Sequence, residues 1–356
     1  MITDLVRENI KRLLPYTCAR DLYSKGILLD ANENSLGSSV GEFESLTLDL
    51  NLNRYPDPHQ NDLKELIGSH LSIKKENLFF GVGSDELIDL LIRIFCEPRL
   101  DTVIIAEPTY GMYKVACDIN NVATKEVRLN DNFDVNINNI EAAFDPTVKM
   151  IFLCSPNNPT GNLISKKSIV ELAQKFNCAI VVDEAYIDFA EQGYSIISEI
   201  ENYPNIIVIR TFSKAWGLAA IRLGYCIADP EVISYLFKIK APYNINILTR
   251  SAVEKAIENV NRKNEFVSIL ISERERLSKA FKNIKGITDV YPSDANFILI
   301  RCKNAKAVQK ELAERGVVVR DRSGQIMLQD CLRISVGTEP ENNKLIEQLT
   351  IVLNKN

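Results

Sequence analysis

The sequence predicts an α/β fold: a mostly parallel central sheet flanked by helices, followed by a smaller α+β domain. Three observations predict it. From Gly81 to about Pro230, strand-like and helix-like runs alternate, the pattern of a sheet with helical crossovers. The strand-like runs are continuously apolar, which suits strands buried on both faces and therefore mostly parallel. After Asn244 the texture changes to a long, charged helical stretch and then to shorter strands and helices.

The elements follow in order. Residues 1–30 read as a helix-like arm, a turn at Ser24-Lys25-Gly26 and a strand at 27–29. Gly81-Val82-Gly83-Ser84 opens a helix. Ser84 suits the N-cap, and Leu87, Leu90, Leu91, Ile94 and Phe95 recur at helical spacing. Strands are expected at 102–105, 149–154, 178–182, 206–211 and 223–228, where short β-branched and apolar runs end in polar or turn residues. Beyond 244 come a helix at 248–284, a strand at 295–300, a helix at 305–315, strands at 317–320 and 331–336, and a terminal helix from Glu339. At 356 residues the length accommodates two domains. The expected division is an arm (1–30) packed on the small domain, a large domain (31–244) and a small C-terminal domain (245–356).

Composition narrows the function. Apolar residues make up 46% and charged residues 25%, as in an ordinary globular enzyme. The net charge of −5, with no long basic run, argues against nucleic acid or an anionic membrane as partner. No apolar stretch reaches membrane-spanning length, and residues 1–14 are charged and amphipathic, unlike a signal peptide. Eight cysteines are scattered without a C-x-x-C pair, which fits reduced thiols in a cytoplasmic protein. Only two histidines occur, His59 and His70, neither at ligand spacing. A histidine-based metal site or a Ser-His-Asp triad is therefore not expected.

The chemistry must then come from Lys, Asp, Tyr, Asn and Arg. Lys214 follows the strand at 206–211, in Thr211-Phe212-Ser213-Lys214, with Arg222 eight residues on. That places an amine at the carboxyl end of a strand, where open α/β sheets bind ligands. Hydroxyls with an arginine bind phosphate, and an amine forms an imine with an aldehyde; pyridoxal 5'-phosphate carries both groups. The first turn of the helix opened by Gly81 and Gly83 offers free N–H groups to an anion, although such turns also serve as plain caps. Asp183 ends the run 179–182 and suits an ion pair with a protonated pyridine nitrogen, or simply the start of a loop. Tyr186 stands three residues on. In Ser155-Pro156-Asn157-Asn158-Pro159-Thr160-Gly161 the prolines stiffen the loop, so that Asn157 can be held at a ligand. Tyr110, in Glu107-Pro108-Thr109-Tyr110-Gly111, suits stacking on a planar ring or an ordinary boundary position.

In this order, the segments resemble the aspartate-aminotransferase superfamily, the class I/II pyridoxal-phosphate enzymes of fold type I. The resemblance covers nearly the whole chain. It implies that Lys214 carries the cofactor as an imine and that Asp183 pairs with the pyridine nitrogen. It also implies that Tyr186 and Asn157 bond the phenolic oxygen, that Tyr110 stacks on the ring, and that Ser84, Asp85, Glu86, Thr211, Ser213 and Arg222 surround the phosphate.

Further segments are similar to the histidinol-phosphate aminotransferase family: Leu29-Asp30-Ala31-Asn32-Glu33-Asn34, Asn53-Arg54-Tyr55-Pro56, Ser293-Asp294-Ala295-Asn296-Phe297, Val319-Arg320-Asp321-Arg322 and Cys331-Leu332-Arg333-Ile334. That resemblance implies a homodimer in which Tyr55 reaches the neighbouring subunit's cofactor phosphate. It also implies Arg333 on the α-carboxylate of glutamate, Arg320 on the substrate phosphate or distal carboxylate, and Tyr16 and Asn34 at the substrate mouth. The implied reaction passes an amino group from L-histidinol phosphate to 2-oxoglutarate, giving imidazole-acetol phosphate and L-glutamate. Ser35 departs from the proline usual there. Threonine-phosphate decarboxylation or transamination of aromatic amino acids, both on the same scaffold, are the alternative activities. A non-catalytic cofactor-binding regulator is a third reading, set against a chain length that the catalytic fold already consumes.

Overall fold

The computed structural model describes residues 2–14, 16–40 and 52–355; residues 41–51, inside the expected large domain, lie outside them. The described strands are β1 (Ile27–Leu28), β2 (Leu78–Val82), β3 (Thr102–Glu107), β4 (Ala123–Arg128), β5 (Val148–Cys154), β6 (Ala179–Asp183), β7 (Ile206–Thr211), β8 (Leu223–Ile227), β9 (Ile287–Val290), β10 (Phe297–Cys302), β11 (Val317–Val318), β12 (Arg320–Asp321) and β13 (Cys331–Ser335).

Seven strands form one sheet in the order β2-β8-β7-β6-β5-β3-β4. From β4 through β7 all pairings are parallel. β8 is antiparallel to both β7 and β2, so within this sheet β8 alone is reversed. The sheet is buried on both faces. Ile151, Leu153, Ile180 and Val182 enter one core, whereas Met150, Phe152, Val181 and Ile207 enter the other. Each such side chain gains about 1.5–3 kcal/mol from burial, and this two-sided demand is why the strands read as unbroken apolar runs. β2 and β4 were not among the expected strands. β4 is Ala-Thr-Lys-Glu-Val-Arg at the sheet edge, with five of its six positions exposed or half-buried, and so lacks the apolar signal.

The remaining strands build an antiparallel sheet, β12-β13-β10-β9, and the parallel pair β1-β11. Two expected elements are divided. The helix expected at 248–284 is two, Ile247–Glu258 and Val260–Phe281. Asn259 separates them, folding its side-chain amide back on the Lys255 carbonyl at 3.0 Å in competition with the helix ladder. The strand expected at 317–320 splits at Val319 into β11 and β12.

The arm departs from expectation. Arg7 and Asn9 donate to the carbonyls of Ile119 and Asp118, at 3.1 and 3.0 Å, on a helix that flanks the seven-stranded sheet. Only its later part meets the smaller sheets, through β1 and through the Thr17 carbonyl, which accepts from Arg320 at 2.9 Å. Among the described residues, no helix is long and apolar enough to cross a membrane.

Candidate active site

Because β2, β3, β5, β6 and β7 run the same way, their carboxyl ends share one edge of the sheet. Cys154 is in register with Asp183, and Thr211 with Gly224. A cavity of about 270 Å³ opens at this edge, walled on its far side by β12 and β13.

Lys214 enters the cavity from the turn after β7 and donates to the Ala31 carbonyl at 3.1 Å. Burial, with the nearby Arg333 charge as the second cause, pushes its amine down to about 8. A much larger share of the amine is therefore neutral near physiological pH, the form that attacks an aldehyde or takes a proton.

Asp183 ends β6 and is 2% exposed. Its Oδ2 accepts from the Tyr113 hydroxyl at 2.8 Å and its Oδ1 from the Ala185 N–H at 3.0 Å. Burial lifts its carboxyl to about 6 against these two bonds. Tyr186 lies beside it, its hydroxyl accepting from Asn32 at 3.0 Å and Asn158 at 3.5 Å. Tyr110 forms another wall, and its hydroxyl donates to Asp85 at 3.2 Å.

Ser84, Asp85, Thr211, Ser213 and Arg222 come together at one end of the cavity. The helix there is Gly83–Phe95, so Ser84 lies inside its first turn rather than at the cap, which is Val82. Gly83, at φ +76, lets the backbone close against Arg222; a Cβ there would stand 2.5 Å from the Arg222 Nη2. Gly224 on β8 is equally constrained, since its Cβ would meet the Ser84 nitrogen at 2.7 Å. Backbone N–H groups, hydroxyls and a guanidinium thus line the same part of the cavity, the makings of an anion cradle.

At the opposite wall stand Arg320, Arg322 and Arg333. Arg333 donates to the Asn158 side chain and to the Asp30 carbonyl, each at 2.6 Å. Arg320 Nη1, Arg322 Nε and Arg333 Nε are buried and have no partner among the described residues. Burial, reinforced by Arg333 and Arg320, pushes Arg322 down to about 9. Unpartnered donors and crowded like charge are costly, and an anion relieves both.

Four expected side chains do not face the cavity. Asn157 is turned away: its amide donates to the Pro108 carbonyl and Thr160 hydroxyl and accepts from Thr109, at 2.9, 2.7 and 2.8 Å. Its hydrogen-bonding capacity is spent tying two loops together, and the neighbouring Asn158 takes the ligand-facing position. Asn34 is likewise occupied with the Ala215 carbonyl and the Leu36 N–H, at 3.0 and 3.1 Å, while Asn32 and Glu33 line the mouth beside Tyr16. The Glu86 carboxylate accepts from the Val82 N–H and the Asn244 amide, at 2.5 and 3.2 Å, and its own N–H, the fourth of the helix, is taken by the carbonyl of the cap, so Glu86 stays out of the cradle. Tyr55 lies away from its own chain's cavity, 80% exposed and stacked on Tyr243 at 4.4 Å. Tyr113 and Asn158 carried no signal of their own in the sequence. Arg322 stood in the quoted arginine segment, read with Arg320 and Arg333 as an anion pocket rather than given a contact of its own.

The donor set fits a phosphorylated aldehyde with an aromatic ring: an amine of lowered pKa, a buried carboxylate, a stacking phenol and an anion cradle. The family model for aminotransferase class I and II matches residues 24–349. A protein from Cytophaga hutchinsonii named histidinol-phosphate aminotransferase is 46% identical over 351 residues, 98% of each chain. The crystal structure of the histidinol-phosphate aminotransferase from Clostridium acetobutylicum superposes with a TM-score of 0.86 at 26% identity, covering 93% of this chain and 100% of that one. That of the enzyme from Sinorhizobium meliloti, in complex with pyridoxal-5'-phosphate, shares the fold with a TM-score of 0.90 at 24% identity, covering 99% and 98%.

Proposed function

We propose that this chain, which belongs to the class I and II aminotransferases, passes the amino group of L-histidinol phosphate to 2-oxoglutarate with pyridoxal 5'-phosphate as cofactor. The products are imidazole-acetol phosphate and L-glutamate, a step of histidine biosynthesis. The observation that carries the reading is the trio Arg320, Arg322 and Arg333, whose unpartnered donors share a cavity with Lys214. A phosphomonoester and a dicarboxylate both have anionic tails that a guanidinium fork can bind.

Lys214 would hold the cofactor covalently, and Asp183 would face its ring nitrogen. Tyr186 and Asn158 would face its phenolic oxygen, and Tyr110 its ring. Ser84 and Asp85 through backbone N–H groups, with Thr211, Ser213 and Arg222, would hold its phosphate. The cofactor supplies an aldehyde that condenses with amines and a protonated ring that accepts the electron pair left on a substrate carbon. The Lys214 Nζ, as a neutral amine, would take the proton from the substrate's α-carbon and hold it for return on the cofactor side. Asp183, ionised, holds the compensating proton on the ring nitrogen. Arg320 and Arg322 would orient the substrate's anionic tail, Arg333 would hold the α-carboxylate of glutamate, and Tyr16 would stand at the mouth. Tyr55 is left outside its own cavity, which supports a homodimer in which a second copy supplies it. Seven of the eight free thiols are buried, in keeping with a reducing cytoplasm.

The test compares histidinol phosphate, phenylalanine and tyrosine as amino donors to 2-oxoglutarate and monitors carbon dioxide from threonine phosphate. Histidinol phosphate should lead in kcat/KM by about tenfold or more, with no carbon dioxide released. A preference for an aromatic donor, or decarboxylation, would overturn the substrate assignment.

A further inference from the structure

We propose that Tyr113 is a positioning residue whose hydroxyl holds Asp183 ionised and correctly oriented toward the ring nitrogen of the cofactor; this rests on the reading of Asp183 given above. Tyr113 is fully buried, and its hydroxyl lies 2.8 Å from Asp183 Oδ2. Its ring stacks on Phe152 with centroids 4.6 Å apart and planes 2° from parallel. It also meets Tyr110 edge-on at 5.6 Å and 89°. Clamped by two rings, the phenol cannot swing away, so its O–H is committed to the carboxylate.

Asp183 Oδ1 is held independently by the Ala185 N–H. Each oxygen thus has one protein donor, and the remaining lone pairs are left for the cavity. Burial works against the ionised carboxyl, and the Tyr113 bond is the largest opposing influence. The phenol stays a donor because burial, first of all, raises its own pKa well above the ordinary range. The other groups facing Asp183 are Asp85, which disfavours its charge, Lys214, which favours it, and Cys154, Tyr110 and Tyr186, all three held neutral by burial. Tyr113 also ties the ring-facing Tyr110 to the ring-anchoring Asp183, so one side chain fixes two contacts of the same ligand.

The test follows binding of pyridoxal 5'-phosphate to the full-length apoprotein across pH 5–8 by quenching of Trp216, the single tryptophan. Affinity should fall as Asp183 protonates. In Tyr113→Phe that fall should move up by about one to two pH units, the worth of one hydrogen bond to a charged group. Placing 3-fluorotyrosine at position 113, a stronger donor of nearly the same shape, should move it down, which keeps the test open if the phenylalanine variant does not fold. Asp183→Asn should flatten the profile whatever stands at 113. A profile unmoved by both replacements would overturn the role of Tyr113 while leaving the cofactor reading intact. Failure of the unaltered protein to bind pyridoxal 5'-phosphate at every pH would overturn both.

Discussion

Arg333, on the smaller antiparallel sheet, donates to the side-chain oxygen of Asn158, in the loop after β5 of the large sheet, at 2.6 Å. Asn158 in turn donates toward the Tyr186 hydroxyl at 3.5 Å. The group assigned to the α-carboxylate of glutamate and a group assigned to the cofactor's phenolic oxygen are therefore joined by one amide.

Adjacent asparagines should consequently fail in different ways. Asn158→Ala should weaken cofactor binding and lower turnover while leaving the fold intact. Asn157→Ala should lower stability by about 1–3 kcal/mol, because it leaves the Pro108 carbonyl and its hydroxyl partners unsatisfied in the interior. Urea denaturation of both apoproteins, together with cofactor titration, separates the two. Equal loss of cofactor affinity in both variants would contradict the assignment.

The two asparagines also mark how far the sequence could be read. Asp183 and Thr211 were legible because an apolar run stops there, and parallel packing places every such stop at one edge. Which of Asn157 and Asn158 faces the ligand depends on loop geometry, which has no period to read. Tyr113 was hidden for another reason. It looks like one more apolar residue on a helix, and its partner is 70 positions away. The smaller sheet was legible as a pattern of elements, but the arm's docking was not, because Arg7 and Asn9 bind backbone carbonyls, which any sequence presents.

Arg333→Lys keeps the charge but loses the fork, and with it the simultaneous hold on Asn158 and the Asp30 carbonyl. KM for 2-oxoglutarate should rise about 10- to 100-fold, the loss of one or two charge-assisted bonds, with a smaller change in kcat. Steady-state kinetics at saturating cofactor measures the split. An unchanged KM would remove Arg333 from the substrate site.

Asp183 makes the apoprotein less stable than it could be. Its carboxyl titrates near 6 when folded and near an ordinary 3.8 when unfolded. Between those values the folded state holds the extra proton, so stability falls as pH rises through that window. Above it the full cost stands, on the order of 2–3 kcal/mol. Asp183→Asn apoprotein should thus be the more stable of the two at pH 7, and its advantage should vanish below about pH 4. Paired urea melts at both pH values test this. An asparagine variant less stable at pH 7 would show that the carboxylate is stabilised in the apoprotein.

Gly83 offers the sharpest probe of the anion cradle. Its φ of +76 costs an L-residue about 1–2 kcal/mol, and an added Cβ would stand 2.5 Å from Arg222 Nη2. The arginine end is flexible and can withdraw, since among the described residues it is held only by the Ala219 carbonyl at 3.1 Å and by Asp85 at 3.6 Å. Withdrawal takes the cation out of the cradle, so Gly83→Ala should bind pyridoxal 5'-phosphate about tenfold or more weakly, roughly the 1.4 kcal/mol of a lost phosphate contact. Pyridoxal, which has no phosphate, should bind both proteins alike, because Lys214, Asp183 and Tyr110 are untouched. Parallel titrations with the two aldehydes give the comparison. If pyridoxal weakens as much as its phosphate, the substitution has disturbed the ring pocket, and the cradle formed by Ser84, Thr211, Ser213 and Arg222 is not where the phosphate binds.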